Sequence, residues 1–74
     1  MNPAEAQAAI LAYLASHGPV SYEDMLVAIP GLPADRVAHW LFTLRNQKKV
    51  NMAVTAMRGA DGQWEYAHTV KASD

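Results

Sequence analysis

The chain contains no cysteine. That excludes disulfides, zinc sites built on thiolates and thiol redox motifs, and it leaves helix caps and one apolar core to hold the fold. It fits a reducing compartment, so a cytoplasmic protein is expected. Long apolar runs are also missing: none reaches the roughly 18 residues of a membrane helix. The N-terminal stretch has Glu5 and no Lys or Arg, unlike a signal peptide. There is no glycine-rich phosphate loop, and no nucleophile sits in a recognisable motif. His17, His39 and His68 stand on three different elements, without the i, i+3 or i, i+4 partner of a helical metal pair. A non-enzyme is therefore expected, with no catalytic residues, no metal, no cofactor, no small-molecule substrate and no membrane contact. What remains is a chain of 74 residues that is 51% apolar and 18% charged. Such a balance builds one compact core rather than a disordered chain. The expectation is a single domain over residues 1–74, ordered from about residue 3 to residue 70, with 71–74 as a tail.

Charge is unevenly placed. Residues 1–35 lack Lys and Arg and carry a net −4, residues 36–58 lack acids and carry +5, and residues 59–74 carry −2. The formal net charge of −1 hides a basic block made of Arg36, Arg45, Lys48, Lys49 and Arg58.

A first helix is expected over residues 3–16. Asn2 can cap it, Pro3 suits its first position and Glu5 complements its dipole. Gly18 and Pro19 stop it. Ser21, with Asp24 three residues on, starts a second helix whose apolar face is Met25, Leu26 and Ile29, and Pro30 and Gly31 end it. A third helix spans about 33–48, where Val37, Trp40, Leu41 and Leu44 fall at i, i+3, i+4 and i+7. The period then changes to two. Val50, Met52, Val54 and Ala56 alternate with Asn51, Ala53, Thr55 and Met57, and Trp64, Tyr66, His68 and Val70 with Gln63, Glu65, Ala67 and Thr69, around the turn at 59–62. That pattern reads as a β-hairpin. An isolated hairpin is marginal in water, so it must dock on the helices, with Trp64 and Tyr66 the expected anchors. The expected core joins Ile10, Leu11, Leu14, Val20, Met25, Leu26, Ile29, Val37, Trp40, Leu41, Leu44, Val50 and Val54.

The order helix, short extended piece, helix, turn, helix, hairpin resembles the winged helix-turn-helix family. The resemblance covers about residues 3–70. It rests on the helix-turn-helix stretch 21–44, on the segment RVAHWLFTL at 36–44 as recognition helix, and on the hairpin 50–70 as wing. It implies an α+β fold of three helices with a C-terminal two-stranded wing. Lys48 stands where such chains often carry glycine, in the step from recognition helix to wing.

The resemblance further implies a small DNA-binding protein, a transcriptional regulator, with helix 3 in the major groove and the wing on the backbone or minor groove. With Val37, Leu41 and Leu44 facing inward, the opposite face of helix 3 holds Asp35, His39, Phe42 and Asn46, flanked by Arg36, Thr43 and Lys49. His39, Thr43 and Asn46 are candidates to meet bases or phosphates, as is Arg36 for a guanine or a phosphate. Lys48 and Lys49 suit phosphate, and Arg58 suits the groove beneath a wing tip, although Asp61 shares that tip. Phe42 is open between a thymine methyl, a protein partner and packing under the wing. With Met57 it marks an alternative class, a protein-interaction winged helix acting as adaptor or inhibitor. One such module binds DNA over a small area, so a homodimer is a further expected partnership, through helix 1 or through the strand 63–70 as an exposed edge.

Overall fold

Three helices and a three-stranded antiparallel sheet follow one another as α1 (Pro3–His17), β1 (Val20–Ser21), α2 (Tyr22–Leu26), α3 (Ala34–Asn46), β2 (Val50–Arg58) and β3 (Trp64–Ala72). The computed structural model describes residues 1–73, without the side chains of Thr55, Met57, Tyr66 and Ala67.

Local chemistry sets the helix ends. Asn2 Oδ1 accepts the Glu5 N–H at 2.8 Å, and its side-chain amide donates to the Glu5 carboxylate at 2.7 Å. These bonds satisfy an orphan donor of the first turn and hold the acid near the positive end of the dipole. Gly18 closes α1 at φ +69°, with its N–H donating to the Leu14 carbonyl at 3.0 Å. Ser21 caps α2 through Oγ, which accepts the Asp24 N–H at 3.1 Å.

α2 is shorter than expected and stops at Leu26 instead of reaching Ile29. The Val27 and Ala28 N–H groups donate to carbonyls three residues back, on Asp24 and Met25, so the helix tightens and ends. Pro30 then disfavours a helical residue before it. Leu32, between Pro30 and Pro33, folds into the core from this loop. No periodic pattern marks it, and it was absent from the expected core.

The end of α3 contains the most informative backbone feature. Lys48 has φ +61°, the left-handed conformation that glycine adopts without cost. The Lys49 N–H donates to the Leu44 carbonyl and the Lys48 N–H to the Arg45 carbonyl, both at 2.9 Å. This is a Schellman motif with lysine at the position usually held by glycine. The chain therefore makes the glycine-type turn at this step without a glycine.

The sheet order is β1-β3-β2, so the sheet has three strands rather than the two of an isolated hairpin. Val20 pairs with Val70 and Ser21 with Thr69 on one side of β3, and Val50 pairs with Ala72 through to Arg58 with Trp64 on the other. β3 is thus the central strand. The stretch 63–70, expected as an exposed edge, is covered by β1 only at Thr69 and Val70, and β2 is open along its whole length. The expected tail is also corrected in part. Lys71 and Ala72 belong to β3, and the Ser73 N–H donates to the Lys49 carbonyl at 3.0 Å.

One cluster fills the space between helices and sheet. Ile10 and Leu14 of α1, Met25 of α2, Val37, Leu41 and Leu44 of α3, and Val50 and Val70 of the sheet are all fully buried. Leu11, Val20, Leu26, Ile29 and Trp40 pack at its margin. Two expectations fail at the far end of the hairpin: Val54 is 61% exposed and Trp64 is 64% exposed. Both lie where the strands run past the helices, so no helix packs down on them. The docking expected of Tyr66 falls on a side chain outside the described residues. Among the described residues, no helix is long and apolar enough to cross a membrane.

Candidate nucleic-acid interface

α3 turns Val37, Leu41 and Leu44 into the core, which leaves Asp35, His39, Phe42 and Asn46 exposed on the opposite face. Phe42 is 53% exposed, so the outward position expected for it is observed. The His39 ring meets the Trp40 ring edge-on at 4.6 Å between centroids. Thr43 is half-buried, and its hydroxyl donates to the His39 carbonyl at 3.2 Å. That bond engages its only proton within the helix, leaving Thr43 an acceptor toward any ligand rather than a donor.

The cations do not gather on one side of α3. Arg36 and Arg45 are nine residues apart, about half a turn out of phase on the helix. Arg36 borders a cleft of about 310 Å³ with Pro3, Leu32 and Trp40, toward α1. Arg45 lies on the other flank, beside the hairpin. Lys48 and Lys49 are exposed at the corner where α3 passes into β2. Among the described residues, Arg36, Arg45, Lys48 and Lys49 have no ion-pair partner.

Arg58 is placed differently. Its Nη1 donates to the Gly62 carbonyl at 2.6 Å, and its guanidinium lies 4.6 Å from the centroid of the Trp64 ring. The arginine expected to reach for nucleic acid therefore braces the hairpin turn with one side of its planar group. Asp61 also works within the turn, where its Oδ1 accepts the Gln63 N–H at 3.0 Å. An Asx turn of this kind accounts for an acid at the hairpin tip on structural grounds alone.

A groove runs between α3 and the hairpin. Phe42, Arg45, Met52, Val54 and His68 line a volume of about 390 Å³. An adjoining volume of about 250 Å³ shares Phe42, Met52 and His68 and adds Tyr22 and Val70. Its walls are mainly apolar, and the exposed Arg45 and His68 stand at its rim. The Met57 side chain, expected to join Phe42 in a partner contact, lies outside the described residues. The apolar neighbours of Phe42 along β2 are Met52 and Val54 instead. Arg45, Met52, Val54 and His68 were missed as site residues. The two-residue alternation of the strands puts the last three on one sheet face, but only the reach of α3 along the hairpin shows which of them stay uncovered.

No family model matches this chain, and no curated protein matches it.

Proposed function

We propose that the chain is a winged helix-turn-helix domain that binds double-stranded DNA, as a small regulator of transcription. In this reading the outward face of α3 enters the major groove through His39 and Asn46. Lys48, Lys49 and Arg45 contact phosphates, and the hairpin lies along the backbone. The domain acts by binding alone, with no catalytic residue and no cofactor.

The observation that carries the reading is the group of exposed cations Arg45, Lys48 and Lys49 at the C-terminal end of α3 and its corner, without ion-pair partners among the described residues, in a stretch (36–58) without a single acid and beside the hairpin. Lys48 adds weight, because a lysine in a left-handed turn carries a steric cost that glycine would avoid, and such outliers cluster at functional positions. Arg36 points to the α1 flank and is a backbone contact at most.

The test is a titration of isotopically labelled protein with a mixed-sequence duplex. Amide shifts in 36–49 are expected, with affinity falling about 20- to 50-fold between about 50 and 150 mM salt, as three or four phosphate contacts require. Lys49→Gln is expected to lower the salt slope by about one. No shifts at the lower salt would overturn the reading.

A second reading is favoured by the groove at Phe42: a protein-interaction domain, adaptor or inhibitor, that seats an apolar side chain of its partner between α3 and the hairpin. Phe42→Ala separates the two. It leaves a phosphate-dominated affinity within about threefold, whereas a groove-bound partner is lost.

A further inference from the structure

We propose that the open edge of β2 pairs with the same edge of a second copy, giving a symmetric dimer with a continuous six-stranded sheet whose two-fold axis passes at Val54. The inference starts from the strand order, which leaves β2 with a neighbour on one side only. Its test needs no nucleic acid, although Lys48 and Lys49, given to phosphate above, lie at the ends of this contact.

The register shows which backbone groups are free. The Ser73 N–H donates to Lys49, its opposite residue, and the Gly59 N–H donates to Gln63, its opposite residue, so odd-numbered positions of β2 exchange bonds with β3. The even positions, Met52, Val54 and Ala56, therefore aim their N–H and C=O groups at the open edge. Sheet edges are normally blunted by charge or proline. This one has neither anywhere from Val50 through Met57.

An antiparallel pairing centred on Val54 sets Met52 opposite Ala56 of the second copy and Val54 opposite itself. Even faces even, as the free groups require, and the apolar side chains of Met52, Val54 and Ala56 meet on one face. No two like charges stand opposite each other. The ends are complementary in charge: the turn at 59–62, with Asp61, comes alongside Lys48 and Lys49 of the second copy. The same pairing sets the Val54 side chain, 61% exposed in the isolated chain, beside its own copy and covers it on that side. Each surface meets its own copy, so the contact is isologous and closes at two chains.

The test uses the absence of cysteine. In Val54→Cys the two introduced thiols face each other across the axis, with Cα atoms about 5.5 Å apart, within the span of a disulfide. In Asn51→Cys they lie six residues apart along the strands, about 20 Å. Mild oxidation is expected to cross-link the first variant and not the second. Sedimentation equilibrium of the unmodified chain is expected to show the mass rising from 8.1 kDa toward twice that value with concentration. Val54→Lys, which sets two ammonium groups against each other at an exposed site, is expected to hold the chain at 8.1 kDa with an unchanged far-ultraviolet spectrum. A monomer up to about 500 μM overturns the proposal. So does a dimer that survives Val54→Lys, and so does equal cross-linking of the two cysteine variants.

Discussion

The two halves of the hairpin are written in the same code and used differently. At the base, Val50 and Val70 are fully buried beneath the helices. At the far end, Val54 and Trp64 occupy the same sheet face and are mostly exposed. Composition and alternation do not distinguish the halves. What differs is whether a helix lies above them, and the 13-residue α3, about 20 Å long, covers only the base. Period two therefore identifies a face, and the neighbouring element decides whether that face is core or contact surface.

One substitution made twice breaks the comparison most sharply. Val70→Ala removes two methyl groups from a dry core and is expected to cost about 2–3 kcal/mol, transfer and cavity together. For a chain of this size that is a large part of a total of roughly 4–11 kcal/mol. Thermal unfolding should drop by about 10–20 °C. Val54→Ala, the same chemistry four residues from the base of its own strand, is expected to stay within about 0.5 kcal/mol at low micromolar concentration. Equal losses would mean that the far half is packed in solution.

The corner between α3 and β2 gives the next effect, of opposite sign. Lys48 in the left-handed region costs about 1–2 kcal/mol relative to glycine, offset in part by the greater freedom of glycine in the unfolded chain. Lys48→Gly is therefore expected to raise stability by about 0.5–1 kcal/mol, read as a higher urea midpoint with an unchanged slope. If the lysine serves phosphate, the same variant weakens duplex binding while the fold improves.

The helices were legible from the sequence because their signals are local. Asn2, Ser21, Gly18 and the Val37, Leu41, Leu44 stripe each state their role within one or two turns, and the fold places them accordingly. The sheet was legible in its strands and not in its neighbours. Nothing in Val20 and Ser21 says that they pair with Val70 and Thr69, about fifty residues away, so the covering of β3 at these two residues was not foreseen, while its remainder toward the turn is the edge that was expected. The candidate site divides in the same way. The outward face of α3 follows from helical period, but the engagement of Arg58 with Trp64 and Gly62 depends on cross-strand register and on turn geometry, which charge counting does not contain.

That engagement yields the smallest predicted effect and isolates the far half alone. Arg58 and Trp64 are directly opposite across the hairpin, and the guanidinium lies over the ring. An exposed cation–π contact is worth about 0.5–1 kcal/mol. Part of it would be retained by lysine as a point charge, whereas the bond to the Gly62 carbonyl uses the reach and fork of arginine. A double-mutant cycle with Arg58→Ala and Trp64→Ala is expected to give a coupling of about 0.5 kcal/mol, while Arg58→Lys should lose the bond to Gly62 and keep some of the coupling. The spectroscopic counterpart is local: Arg58→Ala should shift the Trp64 indole and the amides of 59–63 and leave the Leu41 and Val70 signals in place. Shifts that spread to the core would show that the tip and the base of the hairpin fold as one unit, and the contrast between them would then describe exposure without independence.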